Sequence, residues 1–204
     1  MDSNAKNERK ETGRLEAFSD GVFAFAITLL VLYLKDPTAN GNGNLLQGLL
    51  DQWPVFFGYL TSFLTILVMW VGHHQLFNFV RRIDRRFMFL NGFLLLFVTL
   101  TPFTTSLVAD HILSKDSQIA GVIYASDFLC LSVIWGNLAR HARLKNLLAP
   151  DGGDAGIRNQ SRGAVIGFSF YAIALGVAFF SGIASVALIL AVAVFYAVAP
   201  TAQG

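Results

Sequence analysis

From Arg14 to Leu34 the chain reads "RLEAFSDGVFAFAITLLVLYL": a charged first turn, then apolar positions broken by few polar ones, up to a Lys-Asp-Pro corner. At about 1.5 Å per residue in a helix, such a run crosses a hydrocarbon core of roughly 30 Å. Further apolar runs predict helices near 53–79, 87–109, 118–139, 163–180 and 183–199. The last two come from one almost uncharged tract, "GAVIGFSFYAIALGVAFFSGIASVALILAVAVFYAVAP". It is too long for one crossing without extreme tilt, so the break falls at Ser181-Gly182, where a tight turn is cheapest. The pattern predicts an all-α membrane protein: a flexible tail over 1–13, a six-helix membrane domain over 14–199 and a short tail over 200–204. A five-span alternative leaves the C-terminus on the other side and breaks no charge rule.

The connections are short. Segments 35–52 and 110–117 could not hold a soluble domain, and 143–162, with "APDGGDAGIRNQ", reads as a mobile linker. Composition agrees with the pattern, since 54% of residues are hydrophobic and 14% charged, above the roughly 45–50% apolar share of soluble domains. The opening "MDSNAKNERKETG" lacks the apolar core of a signal peptide.

Charge placement sets the orientation. Of 15 Lys and Arg residues, 13 fall before the first helix, between the second and third, or between the fourth and fifth; Lys35 and Lys115 alone lie on the opposite side. The positive-inside rule then puts both termini in the cytoplasm. Lone Cys130 excludes an intrachain disulfide and reads as a small apolar side chain, and no Cys-x-x-Cys or His-Glu-x-x-His spacing offers a metal site.

Polar residues inside the spans are the candidate chemistry, because an intramembrane acid is costly unless paired or wet. At about 100° per residue, Phe18, Phe25 and Leu32 share one stripe of the first helix, with Gly21, Thr28 and Leu29 on or beside it. Asp20 lies about 140° around the axis from Phe25, so it faces the bundle if the stripe faces a shared axis. Its expected partners are in the second helix, where Trp70 carries an indole N–H and His74 follows one turn later; His73 or His74 could make a charge-assisted bond to Asp20. The competing reading of His73 is a solvated helix-end residue, and Arg14 reads first as an ordinary basic anchor rather than a specific partner. Asp127, in "YASDFLCL", is expected nearer the outer leaflet, capping a cluster with Ser126 or lining an aqueous vestibule. Pro102 in "FVTLTPFTTSLV" kinks its helix, with Thr99, Thr101, Thr104 and Thr105 available to freed carbonyls. Trp53, Tyr59 and Trp135 read as interface anchors.

These residues resemble the potassium channels of the transmembrane protein 175 type, known from lysosomes and many prokaryotes. The signature Arg-x-x-x-Phe-Ser-Asp is literal in "RLEAFSD", giving Arg14, Phe18, Ser19 and Asp20; Trp70 with His73 and His74 in "MWVGHH", and the Pro-Phe of "TPFTTSLV", are similar to the family's pattern. The resemblance implies a homotetramer in a prokaryotic cell membrane, with the first helices lining a potassium pore and no Thr-Val-Gly-Tyr-Gly re-entrant filter loop. It implies an apolar constriction at Phe25, Leu29 and Leu32 and a hydroxyl layer at Thr28. The chain departs from the pattern at Phe25, where Ile or Leu is usual. Arg14, Ser19, Asp20, Trp70 and His74 would fix the first helix without touching the ion. The partners implied are lipid, potassium and further copies of the chain, with no cofactor and no nucleic acid.

Two other classes compete. An enzyme would need an activated nucleophile or a third metal ligand at the right depth, and neither is present in the pattern. A secondary transporter could use Asp20 and Asp127 for ion coupling, and "FSDGV" and "ASDFL" share too few letters to count as an internal repeat.

Overall fold

A computed structural model describes residues 3–37, 44–149 and 153–198. Among the described residues the elements are α1 (Ser3–Leu30), a 3-10 turn (Val31–Tyr33), α2 (Leu45–Asp51), α3 (Trp53–Phe79), α4 (Arg85–His111), α5 (Ser117–Leu144), α6 (Gly153–Ala178) and α7 (Gly182–Val198). Five of these helices are long and apolar enough to cross a membrane, and α7, with 17 residues, is a shorter apolar helix. The protein is a multi-pass membrane protein.

The helices pack around α5, which meets α4, α6 and α7, whereas α1 lies chiefly against α3 and α4. Tyr124, Phe128, Leu131 and Leu138 line the buried side of α5, beside Leu94 and Val98 of α4 and Val186 and Ile189 of α7. Gly182 sits where the α6–α7 turn meets the start of α5. A Cβ there would collide with the Ser117 carbonyl, and one on Gly121 would come 2.7 Å from Gly182 Cα. The break at Ser181-Gly182 is therefore set by close approach of two backbones as well as by turn chemistry.

Several boundaries differ from the sequence reading. The supposed flexible tail is helical from Ser3, in keeping with the strong helix formers Ala5, Lys6, Glu8, Arg9, Lys10 and Glu11. Its Thr12 hydroxyl lies 3.0 Å from the Glu8 carbonyl and 3.2 Å from the Arg81 carbonyl, so this turn touches the α3–α4 connection. The connection after α1 contains α2, whose Asn44 cap accepts from the Leu46 N–H at 3.0 Å. The tail at 200–204 lies outside the described residues.

The expected mobile linker is also more structured. Asn146 takes a left-handed φ of 51°, which Asn tolerates better than most residues. The Leu147 N–H then bonds the Ala142 carbonyl at 3.0 Å and the Asn146 N–H bonds the Arg143 carbonyl at 3.3 Å, the paired bonds of a Schellman ending. From this turn Leu147 offers its carbonyl to the Arg81 N–H at 2.9 Å, while the Ala149 N–H donates to Phe79 at 2.8 Å. Val80 and Leu148 thereby form an antiparallel bridge, and α6 already begins at Gly153, ten residues before its apolar run starts at Gly163.

Asp84 caps α4, accepting from the Phe87 N–H at 2.7 Å and lying 2.8 Å from His141 Nε2 of α5. Partial burial by itself would raise its pKa. The bonds from Phe87 and His141 outweigh that effect and hold the carboxyl below its ordinary value.

Candidate functional site

The faces of α1 have different surroundings. Ser19, Phe23, Ala26 and Leu30 are wholly buried, while Arg14, Phe18, Gly21, Phe25, Thr28 and Leu32 form an uncovered stripe. Phe18, Phe25 and Leu32 are 63%, 61% and 67% exposed, and no atom would meet a Cβ on Gly21. Leu29 is partly buried, at the edge of the stripe. The Thr28 hydroxyl donates to the Phe25 carbonyl at 2.8 Å. With its proton used inside the helix, its oxygen lone pairs are left for the uncovered side.

The buried face holds the polar network. Trp70 Nε1 donates to Asp20 Oδ1 at 2.9 Å. Neither histidine bonds Asp20, contrary to the expected charge-assisted pair. His74 Nδ1 instead lies 2.9 Å from Glu16 Oε1, with the ring stacked on Trp70 at 6.2 Å. His73, the candidate for a solvated helix end, is the more deeply buried of the two at 0% exposure, and its Nε2 lies 2.9 Å from Asn91 Oδ1. Asn91 Nδ2 then donates to Ser19 Oγ at 2.9 Å, and Ser19 donates to the Leu15 carbonyl at 2.9 Å. Rotation of α3 decides this exchange, because it turns His73 toward α4 and leaves His74 beside Glu16, midway along α1. Arg14 is exposed and makes no ion pair among the described residues.

Glu16 and Asn91 were missed in the sequence. Asn91 was the findable one, as a lone amide inside the apolar run "RFMFLNGFLLLF". Glu16 lies four residues before Asp20 and so one turn away on the same side of α1.

Asp127 belongs to a separate cluster. It is 3% exposed and its Oδ2 lies 3.0 Å from Thr101 Oγ1 and 3.1 Å from Thr104 Oγ1. That burial rules out an aqueous vestibule within the subunit, and Ser126 turns away to donate to the Val122 carbonyl. The Pro102 threonines bond the Leu96, Phe97 and Thr101 carbonyls, not Val98, whose usual donor the proline removes. Nearby, Ser62 joins Thr105 at 2.7 Å and Tyr124 at 2.8 Å, linking α3, α4 and α5. Trp135 is a further correction: it is only 9% exposed and packs beside His73 rather than at an interface.

Residues 14–102 match the family model described as endosomal/lysosomal potassium channel TMEM175. A potassium channel of Chamaesiphon minutus is 40% identical over 196 residues, covering 93% of this chain and 95% of that protein. A potassium channel of Streptomyces collinus is 43% identical over 139 residues, covering 66% and 68% respectively. The crystal structure of a lysosomal potassium-selective channel TMEM175 homolog from Chamaesiphon minutus aligns with a TM-score of 0.83 at 38% identity, over 92% of this chain and 97% of that one. With that identity over nearly its whole length, the chain belongs to the TMEM175 family, a family of ion channels rather than enzymes.

Proposed function

We propose that the protein is a potassium channel in which four copies set the uncovered stripe of α1 around a shared axis. The observation that carries this reading is the division of α1 into a wholly buried face and an uncovered one bearing Phe18, Phe25, Thr28 and Leu32. The names of its relatives supply the ion. The membrane domain spans 14–199, and the Lys and Arg distribution favours a cytoplasmic location for both termini.

In this reading Phe25 and Leu32, with Leu29 at their flank, form apolar rings about two helical turns apart. A ring of this kind opposes conduction because a short apolar segment is unfavourable for water, so an ion waits until the ring widens or wets. Thr28 lies between the rings and contributes one oxygen from each copy to a partly dehydrated cation. Phe25 is larger and flatter than an aliphatic residue, which favours a tighter closed state. Trp70–Asp20 and Ser19–Asn91–His73 hold the rotation of α1 from behind and do not meet the ion. Asp20 and Asp127 have separate partners, an arrangement that favours a channel over a transporter with one shared carboxylate site.

Planar-bilayer recording of the purified protein under opposed potassium and sodium gradients tests this. Discrete openings that reverse near the potassium potential are expected. A silent bilayer with slow, saturable flux in matched liposomes would replace the channel with a transporter.

A further inference from the structure

Where α4 begins and α5 ends, two helical stripes flank an open cavity of about 330 Å³. Arg86 and Leu90 come from α4, one turn apart; Asn137, Arg140, His141 and Leu144 come from successive turns of one face of α5, with Lys145 just beyond. Arg86, Arg140 and Lys145 make no ion pair among the described residues. The acid beside them, Asp84, is already held by His141 and the Phe87 N–H. The cavity thus gathers three uncompensated cations, an amide and two leucines at the ends of two membrane helices.

We infer that this cavity binds the phosphate headgroup of an anionic phospholipid. Its chemistry divides as a phospholipid's does: guanidinium groups suit phosphate oxygens in a forked geometry, Asn137, whose Nδ2 donates to the Val133 carbonyl at 2.8 Å, keeps its Oδ1 to accept from a headgroup hydroxyl, and Leu90 and Leu144 flank the start of the acyl chains. Basic pockets between helices at a membrane surface are suited to such headgroups, and each cation there strengthens binding by about fivefold. A free phosphate would use the same cations and leave the leucines idle. The inference depends on membrane insertion and not on ion conduction.

Native mass spectrometry of the full chain in detergent, titrated with phosphatidylglycerol or phosphatidylcholine, tests it. Phosphatidylglycerol is expected to remain bound at concentrations that leave phosphatidylcholine unbound. Arg86→Gln/Arg140→Gln should weaken that binding about 25-fold, two fivefold losses multiplied, whereas Arg82→Gln/Arg143→Gln, which removes equal charge outside the cavity, should weaken it by less than about fivefold. If the first variant does not assemble, Asn137→Glu puts an acid in the same cavity and should cause the same loss. Equal weakening by the cavity and outside variants would overturn the inference, reducing the cavity to general surface charge. Displacement of the lipid by equimolar inorganic phosphate would overturn the lipid assignment in favour of a free-anion site.

Discussion

The indole of Trp70 donates to Asp20 Oδ1 at 2.9 Å, tying α3 to α1 on the side away from Phe25. A bond to a charged acceptor inside a membrane bundle contributes on the order of 1–2 kcal/mol. Asp20→Ala and Trp70→Phe should each lower the melting temperature of the detergent-solubilised assembly, with little change in potassium preference where assembly survives. Intact tetramers with altered preference after Asp20→Ala would place Asp20 on the ion path.

Asn91 joins Ser19 to His73, so replacing it leaves two buried polar groups without their partner. Asn91→Leu should cost about 1–3 kcal/mol, read as a fall in thermal stability. Ser19→Ala and Asn91→Leu share a bond, so combining them should cost less than the sum of the single losses. Strict additivity would show that the Ser19–Asn91 bond carries no coupling.

Phe25→Ala should enlarge or wet the constriction and raise basal conductance in bilayers, and Phe25→Leu should move it less. Lower current from a well-assembled Phe25→Ala channel would count against the gate assignment.

Thr28→Val keeps the shape of the side chain but removes its oxygen. Potassium preference over sodium should fall, measured as a shift in reversal potential, while Thr28→Ser should retain most of it. Equal selectivity in the Val variant would remove Thr28 from the ion's coordination.

Asp84 has a folded-state pKa below its unfolded value. The stability it contributes is therefore complete above the ordinary carboxylate pKa of about 4 and is lost as pH falls through the folded value. Thermal melts below about pH 4 should show a steeper loss for the unaltered protein than for Asp84→Asn. Parallel acid limbs would mean that Asp84 is not responsible.

The helices were legible because unbroken apolar runs have few alternatives in a bilayer. The uncovered stripe of α1 was legible too, since helical periodicity places Phe18, Phe25 and Leu32 together whatever surrounds them. Polar pairing was less so: whether His73 or His74 meets α1 depends on a modest rotation of α3, which an evenly apolar sequence does not record. The start of α6 was hidden for a different reason. Its first residues are polar and Gly-containing, and their place is defined by distant contacts such as Gln160 to the Gly72 carbonyl at 3.2 Å.

The bridge between Val80 and Leu148 fastens the ends of α3 and α5 to each other, while α1 adheres chiefly along two seams. If α1 lines the pore as proposed, α3 to α7 would act as a stator and α1 as the moving rod. Opening by a turn of α1 would then disturb the Trp70 and Asn91 seams and leave the stator's own stitching intact, so the work of gating would be concentrated in a few bonds behind the rod.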